Sequence, residues 1–106
     1  MTLRYATKED MPAVLALIRE LAEYERAPQE ATVSLQDLEE DGFGTHPLFE
    51  VILAEDGGEI KGMAFYYTAY STWKGKCIYL EDIIVRATER GKGYGRQLFD
   101  AVVMKA

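Results

Sequence analysis

Residues 49–85 contain three apolar runs parted by two short, glycine-bearing turns, and this spacing constrains the fold more than any other part of the chain. The runs are FEVILA (49–54), IKGMAFYYTAY (60–70) and CIYLEDIIV (77–85), rich in the β-branched and aromatic residues that strands favour. EDGGE (55–59), with Gly57-Gly58 at its centre, and STWKGK (71–76) separate them. Connections this short join strands that run in opposite directions, so three consecutive antiparallel strands are expected. TLRYA (2–6) reads as a further short strand.

Helical periodicity fills the flanks. Met11, Val14, Leu15, Ile18, Leu21 and Ala22 fall on one helical face, with Pro12 in the first turn, Asp10 as N-cap and Thr7 opening a preceding turn. This helix is expected to fade near Glu25, ahead of Pro28. Ser34 and Asp37 form a capping-box pattern before LQDLEED, a short helix expected to stop at Gly42. The FGTHP loop follows, and His46 in it reads as structural or exposed. From Gly93 or Tyr94 onward the composition is helical, with Leu98, Phe99, Val102 and Val103 on the apolar side. The expected fold class is α/β, one mainly antiparallel sheet flanked by helices, in a single domain spanning residues 1–106.

Charge and cysteine usage narrow the function classes. A net charge of −6 argues against nucleic acid as a partner and is compatible with a cationic small molecule. The single Cys77 excludes an internal disulfide, and with His46 as the only histidine no zinc-binding cluster exists. Cys77 opens a strand and reads as a small packed residue. No apolar run approaches the ~20 residues of a membrane span, and no signal-peptide pattern follows Tyr5 and Ala6. A reducing, cytoplasmic setting is the expectation.

Arg90-Gly91-Lys92-Gly93-Tyr94-Gly95-Arg96 lies between a strand and a helix. Glycines let the backbone approach a ligand, and the first N–H groups of the following helix have no intrahelical partner. Such a turn is an anion site, reinforced here by three cations. No Ser or Thr follows Gly-Lys, so it is not a Walker loop. Leu98 stands where a dinucleotide fingerprint beginning at Gly93 needs its last glycine. Upstream, Glu81 and Asp82 sit in a strand, where acids are disfavoured and costly if buried unpaired. Alternation puts Tyr79, Glu81 and Ile83 on one face and Leu80, Asp82 and Ile84 on the other. Each acid reads either as a functional carboxylate or as one satisfied by a neighbouring arginine or backbone N–H.

The pattern R/Q-x-x-G-x-G/A after a strand and opening a helix, here Arg90, Gly93 and Gly95, resembles the acetyl-CoA pyrophosphate loop of the GNAT N-acetyltransferases. DGFGTHP, YSTWKG, IYLEDIIV and the ELAEYE that ends the first helix are similar to segments of the spermidine/spermine and thialysine N-acetyltransferase branch. The resemblance implies acetyl-CoA as cosubstrate. The backbone of Ile83, Ile84 and Val85 would lie beside the pantetheine arm, and Arg90, Gly91, Lys92, Gly93, Tyr94, Gly95 and Arg96 would wrap the pyrophosphate. It also implies Glu81 as the base that takes a proton from the amine, often through water. Tyr24, Glu25 and Trp73 would be substrate contacts, and Asp82 would hold a distal cation or support the fold. Ser71 stands where polyamine-specific members would carry an acid, which favours a thialysine-like amine.

The family has further strands, a helix and a proposed general-acid tyrosine after the place where this chain stops, so a C-terminally truncated GNAT fold is expected. None of the seven tyrosines matches that acid. The free side of residues 78–85 would favour a homodimer. A non-catalytic CoA-binding or dimerisation module, an inactive fragment and a general phosphate binder stand as alternatives.

Overall fold

In the computed structural model, which describes residues 1–105, the three expected strands form a meander and the first strand adds to one side of it. β1 (Thr2–Tyr5), β2 (Glu50–Asp56), β3 (Glu59–Ser71) and β4 (Gly75–Val85) lie side by side in chain order, every neighbour antiparallel. Gly57 and Gly58 both have positive φ, 61° and 79°, the twist-matched turn that joins β2 to β3. At the β3–β4 turn, Ser71 Oγ accepts from the amides of Trp73 and Lys74, both at 3.2 Å.

Helices cover both faces. α1 (Met11–Tyr24) and α2 (Leu35–Phe43) pack on one, burying Met11, Val14, Leu15, Leu17 and Leu38 against Val51, Leu53, Met63 and Ile84. α3 (Tyr94–Lys105) packs on the other, with Tyr94, Leu98 and Val102 against Ile52, Ala54, Ala64 and Tyr66. Only half of α3's expected apolar side is buried, since Phe99 and Val103 are exposed.

Local chemistry explains several departures from expectation. The Ser34–Asp37 capping box is present, each side chain accepting from the other's backbone amide at 3.0 and 2.9 Å. The helix runs past Gly42 and ends at Gly44. Gly42 is a packing glycine, because a Cβ there would lie 2.6 Å from the Phe49 ring. Cys77 is exposed rather than packed, and its thiol donates weakly to Ala69 O across the hairpin at 3.6 Å. His46 is exposed.

Asp10 precedes α1 but does not cap it with its side chain. Its carboxylate turns back to the Thr7 amide at 2.7 Å and to the Arg4 guanidinium at 2.8 and 3.0 Å. Hydrogen bonds from Arg4, foremost, pull its pKa down from 3.8 to about 2. A folded-state pKa below the unfolded one stabilises the fold above about pH 4, a contribution lost as pH falls through about 2. Asp10→Asn should therefore lower the urea midpoint at pH 7, with the difference from the unaltered chain vanishing near pH 2.

β4 is not a regular strand. Phe65 pairs with Asp82 and Tyr66 with Leu80, so Glu81 is an extra, unpaired residue in a β-bulge. The bulge corrects the expected facing. Ile78, Leu80, Ile83 and Val85 pack toward α3, whereas Ile84 packs toward α1 and Asp82, opposite Phe65, shares that side.

Candidate functional site

The bulge arises in the strand that carries both acids. Glu81 is exposed, and the extra residue leaves its backbone outside the ladder. Asp82 is half-buried, and its pKa is raised by burial first, then by the charges of Glu81 and Glu25. Glu25 is the residue on which α1 ends. Tyr67 and Tyr79, paired across β3 and β4, lie with ring centroids 5.2 Å apart. Burial first, then Glu81, raises the Tyr67 phenol pKa. Three carboxylates thus share one electrostatic neighbourhood, and among the described residues none of them forms an ion pair. Their field and the aromatic faces beside it favour a cation.

After Val85 the chain makes a 3-10 turn, Ala87–Glu89, crosses Arg90–Gly93 and enters α3 at Tyr94. Gly91 and Gly93 have φ of 85° and 87°, so conformation rather than lack of space requires glycine there. The first amides of α3 lack intrahelical partners and lie at its positive end. Gly95 rests near methyl groups of Val85 and Ile83, at 3.8 and 4.0 Å from where a Cβ would stand, so the turn and the strand end form one continuous surface. Tyr94 is buried, its hydroxyl donating to Asp56 at 3.0 Å, which seats the helix start on the β2–β3 hairpin.

The three cations of the turn all have internal partners. The Arg90 guanidinium stacks 4.7 Å over the Tyr24 ring, Lys92 Nζ meets Glu89 at 3.0 Å, and Arg96 Nε meets Asp100 at 3.1 Å. Glu89, only 13% exposed, also faces Lys61 at 3.8 Å. Hydrogen bonding from Lys92, foremost, holds the Glu89 carboxyl pKa below its ordinary value. An anion here would meet backbone N–H groups first and compete for the side chains.

The structure brings together Tyr24, Glu25, Glu81, Asp82 and the turn 90–96. It leaves Trp73 at the hairpin tip, 93% exposed, roughly 20 Å along the strand from Asp82 at about 3.3 Å per residue. Glu20, Glu89, Tyr67 and Tyr79 were not singled out by sequence, because nothing in a linear reading marks which helix residues meet the turn. The acids and the turn form an open surface. A cavity of about 330 Å³ opens elsewhere, among Tyr5, Phe43, Phe49 and Lys105. There Lys105 sits 5.0 Å over the Tyr5 ring, and Glu50 accepts from the Tyr66 hydroxyl at 2.7 Å. Both charged groups there already have a partner within the fold. Among the described residues no group of His, Cys, Asp and Glu could hold a metal ion, and no helix is long and apolar enough to cross a membrane.

The family model described as Acetyltransferase (GNAT) family matches residues 12–106. Thialysine N-epsilon-acetyltransferase of Bos taurus is 41% identical over 108 residues, an alignment covering 94% of this chain and 64% of the relative. The chain thus spans slightly less than two thirds of that relative. Spermidine/spermine N(1)-acetyltransferase-like protein 1 of Homo sapiens is 38% identical over 103 residues, covering 91% of this chain and 15% of the relative. Among solved structures, an integron cassette protein from the mobile metagenome of V. cholerae superimposes with a TM-score of 0.75 at 26% identity, covering 99% of this chain and 67% of the other.

Proposed function

The chain belongs to the GNAT acetyltransferase family, and on that premise we propose that it transfers an acetyl group from acetyl-CoA to a small primary amine of the thialysine, diamine or polyamine type. The observation that carries this reading is the bulge, which sets the exposed Glu81 beside Asp82 and Glu25 on a strand that leads into the glycine turn. The relatives named for thialysine and for spermidine/spermine acetylation support the amine class.

An ammonium has no lone pair, so the amine must lose a proton before it attacks the thioester. Glu81 is exposed and is the group assigned to take that proton, through water. The N–C bond then forms as the C–S bond breaks, with no covalent enzyme intermediate, and the thiol leaves carrying a proton. Backbone N–H groups freed by the bulge are donors for the charge that develops on the carbonyl oxygen. The backbone of residues 83–85 and the turn 90–96 would hold acetyl-CoA, which supplies the activated acyl group. The open space beside Gly91 and Gly93, the helix start and the surface shared by Gly95 and Val85 fit a phosphate-bearing chain. Asp82, Glu25 and Tyr24 would face the amine. Trp73 would take part only with a substrate or partner that reaches the hairpin tip.

A thiol-release assay with acetyl-CoA and an amine panel tests the proposal. Thiol release that depends on thialysine or a polyamine is the expected result. Tight CoA binding with no release from any amine would instead indicate a non-catalytic CoA-binding module.

A further inference from the structure

Two residues of α1, one turn apart, hold the segment that leads into the glycine turn. Glu20 Oε1 accepts the Ala87 amide at 2.8 Å, and the Tyr24 ring carries the Arg90 guanidinium at 4.7 Å. Tyr24 is 69% exposed, so general burial does not hold the pair together. The next residue is Glu25, whose charge reaches Asp82. Tyr24 therefore stands between the two halves of the proposed site, and an anion in the turn would draw Arg90 away from its ring.

We infer that Tyr24 is an exchange point between the two ligands, with Glu20 as the positioning residue that keeps Arg90 in register with it. This rests on the reading of the turn as a CoA site. In the free chain Arg90 occupies the aromatic face that a substrate ammonium would use. A bound pyrophosphate recruits Arg90 and exposes that face beside Glu25, so the cofactor prepares the amine site. The two ligands then bind with positive coupling, and by linkage each strengthens the other equally.

Calorimetric titration of thialysine, with and without saturating CoA, reads the coupling without turnover. In the unaltered chain CoA should tighten thialysine binding roughly two- to fivefold, the size of an exposed cation–π contact. Arg90→Leu should show the tightened affinity without CoA and no further gain with it. Arg96→Leu removes the same charge from the turn and should keep the coupling, which separates the exchange from a general charge effect. Glu20→Ala should weaken the coupling, and Glu20→Gln, which keeps the acceptor oxygen, should restore it. Thialysine affinity indifferent to CoA, or Arg96→Leu behaving like Arg90→Leu, would overturn the inference while leaving the CoA site standing. No CoA binding at all would overturn the reading of the turn and this inference together.

Discussion

Glu81→Gln is expected to lower kcat for amine acetylation by roughly 10²- to 10⁴-fold, the usual contribution of a positioned general base. Stability and CoA affinity should change little, because the side chain is exposed and the bulge already keeps residue 81 out of the ladder. Asp82 is the competing assignment. Burial, Glu81 and Glu25 raise its pKa, which makes it a stronger base when ionised than an ordinary aspartate. Steady-state kinetics of Glu81→Gln and Asp82→Asn separate them. If Asp82→Asn costs more in kcat than Glu81→Gln, and the acid limb of the pH–rate profile disappears with it, the base is Asp82. If Glu81→Gln turns over as the unaltered chain does, Glu81 leaves the mechanism.

Leu98→Ala should destabilise the fold by about 2–5 kcal/mol, a large share of the roughly 5–15 kcal/mol that holds a domain of this size. Leu98 is fully buried where α3 meets the sheet, among Ile52, Ala64 and Val102, and three missing carbons there leave a cavity that the strands cannot close. Urea unfolding followed by circular dichroism should show a lower midpoint with an unchanged slope. The same leucine anchors the helix whose first turn belongs to the proposed CoA site, so CoA affinity should weaken in parallel. Loss of less than about 1 kcal/mol would mean that α3 is not held by this face.

The meander was legible because its determinants are local. Gly57-Gly58 and the Ser71–Gly75 turn state the chain reversals directly, and the apolar runs between them have strand length. The capping box at Ser34 and Asp37 was legible for the same reason, both partners lying within one helical turn. The bulge was written in the sequence but passed over. Residues 78, 80, 83 and 85 are apolar and share a face, and the step of three between Leu80 and Ile83 interrupts a period of two. Simple alternation grouped Leu80 with Asp82 and Ile84 by ignoring that step, whereas Leu80 shares the side of Ile83. Asp10 misled in another way, because its position suits an N-cap while Arg4, brought close by folding, binds its carboxylate more strongly. The partners of Arg90, Lys92 and Arg96 divide similarly. Glu89 and Asp100 lie three and four residues from their cations and could be guessed, whereas Tyr24 lies 66 residues from Arg90 and required the fold.

The unpaired residue in β4 also determines where this strand can gain or lose length over evolution. Deleting Glu81 would leave Ile78 and Leu80 on the same face as Ile83 and Val85, so the ladder would close without inverting any side chain. A deletion between Ile78 and Leu80, or between Ile83 and Val85, would turn an apolar residue toward the wrong layer. The scaffold is therefore indifferent to the one residue on which the proposed chemistry most depends. Descendants could shed residue 81 in a single step and persist as stable, inert copies of the domain.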